Sequence, residues 1–201
     1  VLHDGSSNPD ERLDYLTKVG EVYGERLVDQ EKAFDAFSEA LRDAPRSTET
    51  LTRLEMIAIA QEKFPRLVEL VQELAAAADD PDLARTLWIK AAEIQDVQLE
   101  DVDGAVGSYR KVLDLEPGDR DVLLALEGLF RRTERWGDLV QVLRRRVEQT
   151  FDGAEKEELL AQMAAIQDEF LNQPEAAISV YREVLELDPS SGRALGALDD
   201  L

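Results

Sequence analysis

The side chains here that could do chemistry are overwhelmingly carboxylates: 44 Asp and Glu stand against 23 Lys and Arg, one histidine (His3) and no cysteine. Two carboxylates at a suitable separation can hydrolyse glycosides, and carboxylates grouped with His or Cys can hold a metal. With so many acids such pairs arise by chance, and neighbouring residues single out none of them. A cysteine nucleophile is impossible, His3 lies ahead of the repeats described below, and neither a glycine-rich phosphate loop nor a G-x-S-x-G turn occurs. The run Leu99-Glu100-Asp101-Val102-Asp103-Gly104 imitates a calcium loop, which needs an oxygen ligand at its first position and a bidentate Glu six residues after its glycine. Those positions hold Leu99 and Arg110, so the pattern fails. Asp103 aligns instead with Glu31 and Glu175, acids that favour a helix N-terminus. The expectation is a non-enzymatic protein with no catalytic residue, no metal site and no cofactor.

Charge narrows the partners. A net charge of −21 opposes a phosphate backbone, which must be neutralised by Lys and Arg, so no nucleic-acid partner is expected. The one exception to the acidity is residues 120–153, where seven Arg meet six acids. That segment reads either as a basic patch for an acidic partner or as a solvated helix face. The longest apolar stretch, Leu74 to Ala78, is far short of the roughly 20 residues of a membrane span, so no membrane insertion is expected. An apolar content of 44% with 11 Gly and 7 Pro places the chain among folded proteins. The first residue is Val and the last helical pattern stops midway, so the chain reads as a piece of something longer, its compartment (cytoplasmic or periplasmic) undecided.

What positions these residues is a repeat. Pro45, Pro117 and Pro189 are 72 residues apart, and two residues after each come Ser47, Asp119 and Ser191, oxygen-bearing side chains able to cap a new helix. Ala33, Ala105 and Ala177 align, as do Phe37, Tyr109 and Tyr181, and then Leu41, Leu113 and Leu185, spacings that share one helical face. Leu51, Leu123 and Leu195 follow, then Leu54, Leu126 and Leu198, then Ile57, Leu129 and Leu201. The periodicity predicts helices at about 10–27, 31–43, 48–62, 64–78, 82–99, 103–115, 120–133, 137–149, 155–171, 175–187 and from 192 onward. Short turns make successive helices antiparallel, and no stretch alternates with period two. A helix pair cannot hide its apolar stripe alone, so the pairs must stack. The expectation is an N-terminal tail, 1–9, and one all-α solenoid domain, 10–201, with repeats at about 10–47, 48–81, 82–119, 120–153 and 154–191 and the start of a sixth at 192–201.

Within the odd pairs the residues are specific. The first carries Leu16, Val19-Gly20 and Tyr23, then Ala33, Phe37, Ala40 and Pro45; the third carries Trp88, Ala91-Ala92 and Gln95, then Ala105, Tyr109, Val112 and Pro117. The fifth carries Leu160, Met163-Ala164 and Gln167, then Ala177, Tyr181, Val184 and Pro189. This resembles the tetratricopeptide repeat, in which a small residue lets two helix backbones approach. The even pairs depart from the pattern: Glu55 and Glu127 stand where a small residue is usual, Arg146 where another is expected, and Phe64 or Trp136 opens the second helix. One residue is inserted before Ala33 and three before Trp88. Trp88 and Trp136 read as core residues or as ligand-stacking platforms.

The resemblance implies a right-handed α-solenoid whose first helices line a concave groove that takes a partner segment. Carried over position by position, it makes Glu21, Met56, Ile59, Ile89 and Glu93 candidate partner-binding residues, together with Asp96, Leu124, Arg131, Arg132 and Asp168. Met56, Ile59, Ile89 and Leu124 would form a greasy strip flanked by acids, favouring a protein or peptide partner with basic side chains. The first unit is acidic where a carboxylate-gripping groove would be basic. The other readings are a self-assembling module, joined through the open ends where Leu195, Leu198 and Leu201 would be sticky, and a regulatory arm of a larger protein. Strong acidity and short Ala/Leu/Glu/Arg helices resemble bacterial members of the family.

Overall fold

A computed structural model describes residues 9–201, and the expected tail with His3 lies outside the described residues except for Pro9. Among the described residues all regular structure is helical. The helices are α1 (Pro9–Glu21, prolonged by a π-helical turn, Val22–Arg26), α2 (Gln30–Asp43), α3 (Thr48–Gln61), α4 (Phe64–Ala77), α5 (Pro81–Val97) and α6 (Val102–Leu115). They continue with α7 (Arg120–Arg132), α8 (Trp136–Gln149), α9 (Gly153–Glu169), α10 (Pro174–Leu187) and α11 (Gly192–Asp200). Existence, order and bounds match the sequence expectation, and odd-numbered helices pair with the even-numbered helices that follow. None is long and apolar enough to cross a membrane.

The helix starts follow from short polar side chains. Asp29, Ser47, Asp80, Asp119 and Asp152 each accept a hydrogen bond from a backbone N–H of the turn that follows. Such a bond satisfies donors that the helix leaves open, and each cap is worth about 1 kcal/mol. Ser191 departs from expectation. It makes no side-chain cap, because its hydroxyl donates to Glu157 Oε1 at 2.8 Å. The apparent calcium loop is the α5–α6 turn, where Asp101 Oδ1 accepts from Gly104 N at 2.9 Å, an N-terminal cap.

The helix ends carry a periodicity that composition conceals. Among the described residues, five that are not glycine have left-handed backbones: Val28, Glu62, Glu100, Glu134 and Asn172, with φ between 51° and 55°. Positions 28, 100 and 172 are 72 apart, as are 62 and 134, so every turn inside a helix pair reverses through the same conformation. In the even pairs the turn closes five residues back, with Lys63 N donating to Ala58 O and Arg135 N to Phe130 O. In the odd pairs it closes six back, with Asp29 N donating to Tyr23 O, Asp101 N to Gln95 O and Gln173 N to Gln167 O, each at 2.8 Å. The residue inserted before Ala33 is absorbed there, as the π-helical turn in α1 and as wide terminal turns in α5 and α9. The three inserted before Trp88 lengthen α5 and α9 to 17 residues against 14 in α3.

The helices gather into two compact units, the first ending at Leu115 and the second spanning Glu116–Leu201. In the first, Phe34, Leu41, Leu54, Leu67, Val71 and Leu87 are core residues, with Trp88 half-buried against them. In the second, Leu123, Leu139, Leu143, Leu160 and Met163 are fully buried. Trp136 is half-buried and stacks on the exposed Phe170, ring centroids 4.2 Å apart, so it belongs to the rim of its unit rather than to its core. Gly20 meets its expected role: a Cβ there would lie 2.7 Å from the Phe37 ring, and the matching Ala92 and Ala164 are fully buried. Gln95 reaches the Ser108 hydroxyl at 2.6 Å. One repeat later Val180 stands in the serine's register, and Gln167 Oε1 is buried without a hydrogen-bond partner.

A left-handed backbone costs an L-residue about 1–2 kcal/mol, and β-branching makes Val28 the most strained of the five. Val28→Gly is expected to raise unfolding free energy in urea by about 0.5–1 kcal/mol. Val22→Gly, the same chemical loss on a helical backbone, is expected to lower it by about as much. Equal signs for the two variants count against strain at Val28.

A candidate interaction face on the first helices

In the first unit, α3 is the wall shared by two depressions. The larger, about 550 Å³, lies between α3 and α5, and Ile89 and Glu93 are among its lining residues. The smaller, about 430 Å³, lies between α3 and the end of α1 and includes Glu21, Met56, Gly24, Val28 and Phe37. Met56 and Ile59 stand out from α3, 60% and 65% exposed, where an apolar side chain gains nothing from water. Of the residues expected in the strip, Met56 and Ile59 are the two on α3, whereas Ile89 is half-buried in the wall of the larger depression. Ile59 and Asp96 lie on the same helices but line neither depression.

The charges around the two depressions differ. At the smaller, Arg53 reaches Glu21 and Glu25 at 3.5 Å each, one cation shared by two carboxylates, which leaves a net negative rim. At the larger, Arg46, Arg85 and Lys90 are on the walls; Lys90 pairs with Glu55, and Arg46 with Asp80. Cations as well as acids therefore stand on this wall: Lys90 of α5 answers the even-pair carboxylate Glu55, and Arg46 answers Asp80. Sequence reasoning also missed Val28 and Arg53, which line the smaller depression together with Gly20 and Gly24.

In the second unit Leu124 is exposed on α7, Arg131 and Arg132 are exposed at the end of the same helix, and Asp168 is half-buried on α9. Burial raises the pKa of the Tyr181 phenol, and the charges of Asp168 and Glu169 push it the same way. Arg131 Nη2 donates to Glu127 Oε1 at 3.0 Å and to Gln162 at 3.4 Å, so it is committed to its own unit.

The arginine-rich segment is largely neutralised from within. Arg146 donates to Glu127 and, at 2.9 Å, to Glu155; Arg144 holds Glu183 at 2.5 and 3.0 Å; Arg135 holds Asp138 at 2.8 Å. Of the triplet, Arg145 alone is exposed and without a partner among the described residues. The reading of an open basic patch is thus replaced by an ion-pair network. It also explains two departures from the repeat at once: Glu127 and Arg146, both set where small residues are usual, meet each other largely out of water, with side chains 10% and 13% exposed. The Thr150 hydroxyl, then Arg146, lower the pKa of the Glu155 carboxyl. Among the described residues no group of three or more His, Cys, Asp or Glu is placed to hold a metal ion.

No family model matches the chain, and no curated protein matches it. Solved structures do. A tetratricopeptide repeat protein from Parabacteroides merdae is 14% identical, with 94% of this chain and 78% of that one covered and a TM-score of 0.46. YrrB, described as a tetratricopeptide protein with an unusual peptide-binding site, is 12% identical over 98% of this chain and 95% of that one, with a TM-score of 0.45. MamA is 10% identical over 92% and 96%, also with a TM-score of 0.45. On its own helix pairs, register and turns, this fold is tetratricopeptide-like.

Removing one member of a largely buried ion pair leaves the other uncompensated. Arg146→Met is expected to lower stability by about 3–5 kcal/mol, and adding Glu127→Leu to recover most of it, read as a double-mutant cycle in urea. A second outcome concerns acid. The Arg42 guanidinium, hydrogen-bonded to Glu73, holds that carboxyl below its ordinary 4.5. A lowered folded-state pKa gives stability that is fully present above the unfolded value and is lost as pH falls through the folded one. Glu73→Gln is therefore expected to flatten the loss of stability between about pH 5 and 3, and an unchanged slope counts against the pair.

Proposed function

We propose that the chain is a non-catalytic protein-interaction module, and that the first-helix face of its first unit receives a partner segment. The observation that carries this is the exposed Met56–Ile59 edge of α3 beside a depression of about 430 Å³ that has Glu21 and Glu25 among its lining residues. An apolar side chain of the partner would enter beside Met56, with Lys or Arg next to it reaching Glu21 and Glu25. Exposed apolar side chains at a concave, acid-rimmed site gain from losing water, and the charges set orientation more than strength. Leu124 and Asp168 offer a comparable, separate face on the second unit. Because the 72-residue register runs unbroken through residues 115 and 116, we read 10–201 as one repeat array.

A displayed library of random peptides selected on the intact chain is expected to enrich segments with one large apolar residue flanked by Lys or Arg. Their binding should weaken as salt rises and fall by about tenfold or more in Met56→Asp with Ile89→Asp. Selected peptides that bind this double variant as well as the parent would remove the reading.

A further inference from the structure

Three aromatic rings in this chain are covered by its own cations. Lys32 lies 5.4 Å from the centre of the Tyr23 ring, Lys63 and Arg66 lie 5.8 and 4.8 Å from that of Phe34, and Arg135 lies 5.1 Å from that of Phe130. Each cation is drawn to the negative face of its ring. Phe170 is left bare. It caps the end of α9, is 52% exposed and is fixed by stacking on Trp136 at the start of α8, and no cation among the described residues lies over either ring. The turn itself does not need an aromatic residue. Gln98 holds the same register at the end of α5, and the two turns close alike, with Gln98 N donating to Ile94 O and Phe170 N to Ile166 O. Acids gather beside the stacked pair. Glu169 precedes Phe170, where α5 has Val97; Glu175 lies in the first turn of α10; and Glu134, whose carbonyl accepts from Trp136 N at 2.9 Å, lies in the turn that leads into α8. All three are exposed, and none has an ion-pair partner among the described residues. The cations that close α7 and precede α8 are committed elsewhere: Arg131 to Glu127 and Arg135 to Asp138, while Arg132 is engaged as well.

We propose that the Trp136–Phe170 pair and the carboxylates beside it form a site for an arginine side chain of a partner protein, laid against the exposed side of the Phe170 ring. A guanidinium is planar, so it stacks on a ring while donating hydrogen bonds to a carboxylate such as Glu169, a combination that a compact ammonium matches less well. An apolar occupant would take water from the three carboxylates and give them no partner, so charge decides for a cation. Phe151 shows the contrast. It is wholly exposed, but it stacks on no ring among the described residues and shares its depression with Arg120 and Arg146, which repel the same occupant. The site lies within the second unit and does not depend on the α1–α3 face.

The test follows the indole N–H signal of Trp136 by nuclear magnetic resonance on the intact chain, assigned by loss of the other indole signal in Trp88→Phe. The probe is a short Gly/Ser peptide with one central arginine. A saturable shift of the Trp136 signal is expected, with weaker binding when lysine replaces the arginine and none when citrulline does, since citrulline keeps the shape and loses the charge. Phe170→Leu in the chain is expected to weaken arginine binding about two- to fivefold, and Phe170→Tyr, which keeps the ring face, to preserve it. Glu134→Gln with Glu169→Gln should weaken it and flatten its dependence on salt. Met56→Asp and Phe151→Leu should leave it unchanged, which separates this site from the proposed partner face. The proposal is overturned if the Trp136 signal does not shift to saturation, if the citrulline peptide binds equally, or if Phe170→Leu binds as the parent does. A Trp136 signal that moves with protein concentration alone assigns the surface to a second copy and overturns it too. Should Phe170→Leu fail to fold by circular dichroism, the comparison of arginine with citrulline on the unaltered chain decides.

Discussion

Each helix of this chain has an apolar stripe too wide for its own pair to cover, and covering it with neighbouring helices is the constraint on which everything else rests. At roughly 25 cal/mol per Å² of apolar surface removed from water, a few core residues left uncovered would cost as much as a small domain's whole stability. Side chains must therefore recur in register, pair after pair. That is why Leu54 and Leu126, Ala33, Ala105 and Ala177, and Gly20, Ala92 and Ala164 all answer to one 72-residue period. The period reaches the backbone too, since a valine, three glutamates and an asparagine, none of them glycine, adopt one left-handed turn at corresponding positions.

Deviations from the repeat are handled by charge. Glu55 and Glu127 occupy one position in two pairs but are answered differently, the first by Lys90 of α5, the second by Arg146 of its own pair together with Arg131. A carboxylate moved out of water must find a cation with good geometry, because an unpaired buried charge is far more expensive than a pair. This accounts for the concentration of arginine in residues 120–153 without any external acidic ligand. It also leaves Glu21 and Glu25 on the first unit, two carboxylates that share the single cation Arg53, as a place where the chain's acidity is only half answered.

Exposed apolar residues are meaningful in such a protein because so little else is free. Along the first helices most large side chains serve the stack, and those that do not include Tyr15, Met56, Ile59, Val97 and Leu124.

Element order, helix bounds, pairing and core were legible in the sequence because hydrophobic spacing and the Pro, Ser and Asp positions report directly on which residues must avoid water and where helix donors need caps. The exposed candidates Met56, Ile59 and Leu124 came instead from the family resemblance carried over position by position, and all three are exposed. Only the tertiary structure decided how the exceptions resolve. That Glu127 and Arg146 are each other's partners, that Ser191 turns to Glu157, that Trp136 lies on a rim with Phe170, and that cations enter the α3–α5 depression all depend on contacts between residues some 19 to 34 positions apart or on neighbouring helices. A linear pattern records which side chain a position holds; which charge it meets is set by how far helices slide and rotate when their stripes are covered, and that is a property of the packed molecule.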